Sequence, residues 1–230
     1  DWGAGYIDAF GTPAESGYFG FLSVEREREV FSEELRLDSK NKEDALGLID
    51  RWTAGVYYHQ MDEQSIIDYR DEFGNANASS NYETQSYAFF SQFMCEVSKY
   101  TRTILGLRYE HHNVNFSSNV TEDYFGSLVG GRTSVSKEDN VLGGKFTLEH
   151  DLDDKQMLFT SITRGYKVGG ANSRAFSLSN DPNTYESETL WNYEIGLRSD
   201  WLDRQISSQI TLFYLEREDA QLRDSAGAGG

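Results

Sequence analysis

The sequence predicts an all-β chain, a segment of an antiparallel, up-and-down transmembrane β-barrel. Three observations carry that reading. The first is alternation. Over residues 189–201, Trp191, Tyr193, Ile195, Leu197 and Trp201 share one parity, with Ser199 the polar exception, while Asn192, Glu194, Gly196, Arg198 and Asp200 share the other. A strand points successive side chains to opposite faces, so one face is apolar and the other polar. The second is length. This run and the run 205–215, joined by a tight turn at Leu202, Asp203 and Arg204, exceed the roughly 5–6 residues of a typical soluble strand. They match the roughly 9–11 residues a tilted strand needs to cross a bilayer. The third is rhythm: the connections alternate short and long, as they do between the two rims of an outer-membrane barrel.

Composition agrees. Aromatic residues make up 14% of the 230 residues while hydrophobic residues reach only 38%. An aromatic-rich chain of low overall hydrophobicity fits a wall with aromatic girdles outside and a polar lumen inside. The two prolines leave room for long uninterrupted strands. The formal charge of −17 argues against nucleic acid as a partner, because such a partner calls for a basic footprint. With a single cysteine, Cys95, no intrachain disulfide forms. Its parity places it with Phe89 and Phe93, where it serves as a small hydrophobe. No apolar run is long enough for a transmembrane helix. No signal peptide opens the sequence, and Asp1 and the glycines up to Gly230 read as the ends of an internal fragment.

Taken in order, residues 1–22 form a loop or partial strand, and 23–230 a partial barrel domain. Residues 23–39 open the sheet. Their Glu25, Glu27 and Glu29 alternate with Arg26 and Arg28, and Phe31, Leu35 and Leu37 follow on the parity of Glu33. That alternation favours strand over helix. Residues 49–61 place Trp52, Ala54, Val56 and Tyr58 on the apolar face. A polar stretch, 62–81, reads as a long loop. Residues 82–97 and 101–116 form a hairpin across a tight turn at 98–100, and 117–136 is a second long loop. Residues 140–151 and 156–168 form the next hairpin across 152–155. The third long loop, 169–186, is rich in Gly, Asn and Ser, which suit turns.

Catalytic signatures are absent: the chain has no G-x-S-x-G, H-E-x-x-H or P-loop sequence. Gly165, Gly169 and Gly170 flank Lys167 but open no helix, so strand end and turn explains them better than a phosphate cradle. His111 and His112 are adjacent on a strand and face opposite ways, which prevents joint ligation of a metal or haem. Asp151, Asp153 and Asp154 lack the spacing of a calcium loop and read as a solvated turn. Sequons stand at Asn77, Asn115 and Asn119. No metal or cofactor is expected. The lumen-facing wall candidates are Arg108, Glu110, Glu149, Glu194 and Arg198. Opposite charges on neighbouring strands pair by roughly 0.2–1 kcal/mol, so a structural wall explains them before ligand contact does.

Several stretches carry a resemblance: RGYKVGGAN (164–172), YESETLWNYEIGLRSDWLD (185–203) and ITLFYLEREDAQ (210–221), with FSEELRLDS (31–39), YAFFSQF (87–93) and LGLRYE (105–110) earlier. In this order the chain resembles the barrel of TonB-dependent outer-membrane receptors over residues 29–221. The resemblance implies a barrel of about 22 strands, of which this chain supplies an open, curved sheet of about eight. It implies a bacterial outer-membrane location, contact with outer-membrane lipid, a plug domain and the TonB complex as partners, and energised uptake of a scarce ligand. An iron–siderophore complex is the expected ligand; haem, cobalamin and glycans remain open. The three long loops, 62–81, 117–136 and 169–186, are the candidate ligand-binding regions. The alternatives are a passive porin and a soluble β-rich binding module.

Overall fold

The computed structural model describes residues 6–7, 20–39, 49–71, 74–120, 131–172 and 184–222. Among them, nine strands form one antiparallel sheet. These are β1 (Tyr6–Ile7), β2 (Gly20–Asp38), β3 (Arg51–Asp71), β4 (Gly74–Ser98), β5 (Thr101–Val120), β6 (Gly131–Asp151), β7 (Gln156–Lys167), β10 (Glu188–Trp201) and β11 (Ile206–Glu218). Two short strands, β8 (Gly170–Ala171) and β9 (Thr184–Tyr185), pair separately. The order in the sheet follows the chain from β1 to β11, so the sheet is open. Its edges are β11 and, beyond the two-residue pairing of β1, β2. The eight long strands match the expected count.

Registers confirm the two faces. One row runs through Leu35, Val56, Phe89, Tyr109 and Leu142, and another through Leu158, Leu197 and Ile210. Most of these side chains are well exposed. No second sheet covers them among the described residues, which removes the sandwich expected of a soluble module. The opposite face holds the buried groups, including Ala88, Glu110, His112, Val114, Phe116 and Ser161. It is called the inner face below.

Glycines on the inner face let aromatic rings lie flat on the wall. A Cβ on Gly55 would run into the Phe90 ring and come within 2.7 Å of the Leu35 carbonyl oxygen. Gly196 lies under the Phe159 ring in the same way. The β3–β4 ladder runs out to Asp71 and Gly74 at the opposite rim, so the short and long alternation expected of the connections fails there. Three tight turns fall at the other rim: Lys99 and Tyr100, residues 152–155, and residues 202–205. In the last of these Leu202, Asp203 and Arg204 all have positive φ, at 49°, 53° and 68°. Non-glycine residues adopt that conformation at a steric cost.

The strands are far longer than the sequence suggested. β3 and β4 span 21 and 25 residues, so most of 62–81 is paired strand rather than loop. Polar residues on both faces hide strand character from a periodicity argument. Here the pairing is secured by cross-strand contacts: Arg26 and Arg28 on β2 both meet Glu63 on β3, and Ser65 hydrogen-bonds Ser80 at 2.9 Å. Likewise 117–120 belong to β5 and 131–136 to β6, while 121–130 lie outside the described residues. The third loop contributes β8 and β9, and its residues 173–183 lie outside the described residues.

Candidate functional site

The inner face divides the wall candidates into separate groups. Arg108 and Glu110 lie two apart on β5 and share a face. Arg108 Nε and Nη2 donate to Glu110 Oε2 at 3.1 and 2.9 Å, and the guanidinium lies over the Tyr57 ring at 5.3 Å. Tyr166 completes the group: its hydroxyl accepts from Arg108 Nε at 2.9 Å and donates to Glu110 Oε2 at 2.8 Å.

Tyr166 reaches this site through a seam. Pairing between β6 and β7 ends at Gly144–Arg164, although β6 continues up to Gly131. By alternation Tyr166 belongs with Ile162 and Arg164 on the outer side. Where the ladder stops, its ring instead packs over Gly143, whose Cβ would sit 2.9 Å from Tyr166 Cε1. Arg164 donates to the Leu142 carbonyl oxygen at the same seam, supplying a partner where the ladder has ended.

The other candidates lie lower on the wall. Glu149 accepts from Arg102 Nε at 2.5 Å, and Arg102 also reaches Asp151 at 3.0 Å. Glu194 accepts from Ser161 and Asn192, and Arg198 donates to Gln209 while stacking over Phe159. The wall candidates therefore do not converge on one point. Arg102, Tyr166 and Glu63 were missed by the sequence reading. The parity of Arg102 was legible, but Glu63 lies in a stretch read as loop and Tyr166 carries the outward parity, and which residue faces each of them depends on register.

The histidines separate as expected. His111 Nδ1 lies 3.0 Å from Asn140 Oδ1, while buried His112 lies 2.7 Å from Ser86 Oγ. Asp153 accepts from the Lys155 amide at 2.7 Å, a turn cap rather than a ligand position.

A second cluster sits high on the inner face, at the rim opposite the tight turns. The β8–β9 pair turns onto the wall of β5 and β6, and Ala171 packs with Val114 and Phe116 against Tyr82 and Val135. The Gly169 amide donates to Asp139 Oδ2 at 2.8 Å, and Ser187 Oγ donates to the same oxygen at 2.9 Å. Lys137 bridges Asp139 at 3.7 Å and Glu186 at 2.7 Å. A Cβ on Gly170 would run into the Tyr185 hydroxyl and come within 3.1 Å of that of Tyr82. Burial, and next the nearby Tyr185, push the Tyr82 phenol up to about 12. Part of the third expected loop is thus fastened to the inner wall by named contacts.

An open antiparallel sheet of long strands, apolar outside and polar inside, with short turns at one rim, is the arc of a large barrel. The sequence matches the family model described as "TonB dependent receptor-like, beta-barrel" over residues 2–230. The chain belongs to the TonB-dependent receptor family. It superposes on the crystal structure of the ferric yersiniabactin uptake receptor FyuA from Yersinia pestis with a TM-score of 0.75 and 19% identity, covering 92% of this chain and 31% of that one. The alcaligin outer-membrane receptor FauA from Bordetella pertussis matches with a TM-score of 0.52 and 16% identity, over 91% of this chain and 32% of that one. The chain spans about a third of the length of these solved structures. At these identities the likeness establishes the barrel fold. TonB-dependent receptors are outer-membrane transport receptors of Gram-negative bacteria.

Proposed function

We propose that this TonB-dependent receptor segment forms wall of a receptor for energised uptake of an iron–siderophore complex. The family match over residues 2–230 is the observation that carries the receptor reading. The siderophore reading draws on the names of the two solved structures, one for ferric yersiniabactin and one for alcaligin. In this reading residues 23–230 contribute part of the barrel, and the rest of the receptor supplies the remaining strands and a lumenal plug. The TonB complex drives the plug, and the outward apolar rows meet outer-membrane lipid. Ligand is captured at the rim opposite the tight turns, where β5 ends at Val120, β6 begins at Gly131 and the β8–β9 pair is fastened to the wall.

The test is growth under iron limitation of cells whose only outer-membrane uptake route is the full-length receptor. A panel of ferric siderophores, haem, cobalamin and glycans is supplied with and without TonB. Uptake of one ferric siderophore that disappears without TonB supports the reading. Uptake that persists without TonB points to a passive channel, and TonB-dependent uptake of another ligand class overturns the siderophore assignment.

A further inference from the structure

The inner wall carries a depression of about 530 Å³ between β4, β5, β6 and β7. Its floor is bare backbone. A Cβ on Gly106 would find no atom nearer than 3.8 Å, and one on Gly165 none nearer than 3.9 Å. They differ from Gly55, Gly143 and Gly196, which lie beneath the rings of Phe90, Tyr166 and Phe159. An uncovered glycine inside a strand marks a place that another backbone can approach closely.

The charge around this floor has one sign left over. Gln92, Gly106, Lys145 and Thr163 are successive partners in one cross-strand row of the inner face. Arg36 is tied to Asp38 and Arg108 to Glu110. Lys145 has no carboxylate partner among the described residues. The chain as a whole carries −17, so an uncompensated cation over open backbone stands apart from its surroundings. Gly106 lies five residues above the start of β5 at Thr101, about 12 Å above the turn rim for a rise of ~3.3 Å per residue and a ~45° tilt. That depth is inside the lumen, well below the opposite rim where ligand would first bind.

We propose that this depression seats an acidic turn of the plug, its backbone lying over Gly106 and Gly165 and its carboxylate reaching Lys145. The proposal rests on the receptor reading above, since that reading supplies the plug. The Thr163 and Gln92 side chains flank the seat. The fixed Arg108 guanidinium closes its upper side.

The experiment uses the full-length receptor in native membranes with p-benzoylphenylalanine in place of Thr163 or of Gln92. After irradiation, digestion and mass spectrometry locate the adducts. The expected adduct is on a plug peptide carrying Asp or Glu in a turn. Lys145→Glu should lower its yield about two- to fivefold, the scale of an exposed ion pair, and Lys145→Arg should keep it. The photoprobe in place of outward-facing Phe146 should give no plug adduct, and heat-modifiable migration reports that each variant is folded. Folded receptor with no plug adduct, adducts only on plug peptides without an acid, or yields indifferent to Lys145→Glu would each overturn the proposal. TonB-dependent uptake is measured on the same strains. Intact uptake with the wrong adducts removes this inference alone, whereas wild-type uptake independent of TonB removes the receptor reading.

Discussion

Replacing Ile195 with arginine should cost this receptor about 2–4 kcal/mol, the penalty for a cation on the lipid face near the bilayer midplane. The structure places that residue by its neighbours. Trp191 and Trp201 bracket it on the same face of β10, ten residues apart. At ~3.3 Å per residue and a ~45° tilt they lie about 23 Å apart along the membrane normal, close to the ~25 Å apolar band of such barrels. Ile195 is six residues from Trp201 and four from Trp191, so it sits near the middle. It pairs with Thr160 and Leu212 and is half exposed on the outer face, so the arginine has no buried partner there. A cost of that size lowers the folded-to-unfolded ratio by about 30- to 1,000-fold. The assay is reversible denaturant unfolding of the full-length receptor in lipid vesicles, with Trp201→Arg as the rim control. The control should cost about 0–1 kcal/mol. Equal stability of Ile195→Arg and wild type, or a rim penalty as large as the central one, would refute the face and depth assignments.

The glycines give a paired test. Gly55→Ala drives a methyl into the Phe90 ring and the Leu35 carbonyl and should cost about 1–3 kcal/mol, whereas Gly144→Ala on the outer face, where a Cβ meets no atom nearer than 3.6 Å, should stay within about 0.5 kcal/mol in the same unfolding assay. Tyr166→Phe removes the hydroxyl shared by Arg108 and Glu110 and should destabilise by about 1–3 kcal/mol, because both groups are partly buried; no change in the unfolding midpoint would exclude that network as a support. Asp203→Gly relieves a φ of 53° in the β10–β11 turn and should raise stability by up to about 1 kcal/mol, read as a higher denaturant midpoint. Asp139→Asn weakens the charge-assisted anchor of Gly169 and Ser187; it should raise proteolysis of the 169–186 connection while leaving the barrel's heat-modifiable migration intact.

The membrane-level half of each strand was legible because one face is apolar. In β5, Leu105, Leu107 and Tyr109 alternate with Gly106, Arg108 and Glu110, and the observed faces follow that parity. Further along the same strand His111, Asn113 and Asn115 alternate with His112, Val114 and Phe116. Here the outer residues are polar, and the apolar residues have moved to the inner face, where Val114 and Phe116 meet Ala171. A reader following one apolar parity sees the strand end where the apolar side changes over. β3 and β4 give fewer clues still, since 62–81 is polar on both sides. The wall candidates share one face by the same alternation that reveals the strands. Their grouping was not legible, because Arg102–Glu149 and Arg108–Tyr166 depend on register and on the place where the β6–β7 ladder stops.

The change of apolar face along one strand divides the work of stabilising the sheet. In the proposed receptor Leu107 and Ile195 face lipid in the turn-ward part of the sheet, where the ladder is closed on both sides of β5, β6 and β7. Beyond Gly144 and Arg164, β6 loses β7 as a neighbour, and neither lipid nor a ladder partner on that side supports it. The β7–β10 connection takes over that role by folding inward. Asp139 holds Gly169 and Ser187, Lys137 holds Glu186, and Ala171 fills the space over Val114 and Phe116. The same segment that the sequence marks as a candidate for ligand capture is therefore also a structural member of the wall beside it. A ligand that rearranged this connection would have to replace those hydrogen bonds and that apolar contact, so movement at the mouth is coupled to the stability of the upper half of β6. Loosening the anchor without removing the segment, as Asp139→Asn does, separates the two roles. If capture needs the connection held in place, binding should weaken while the barrel remains folded. If capture needs it released, binding should tighten.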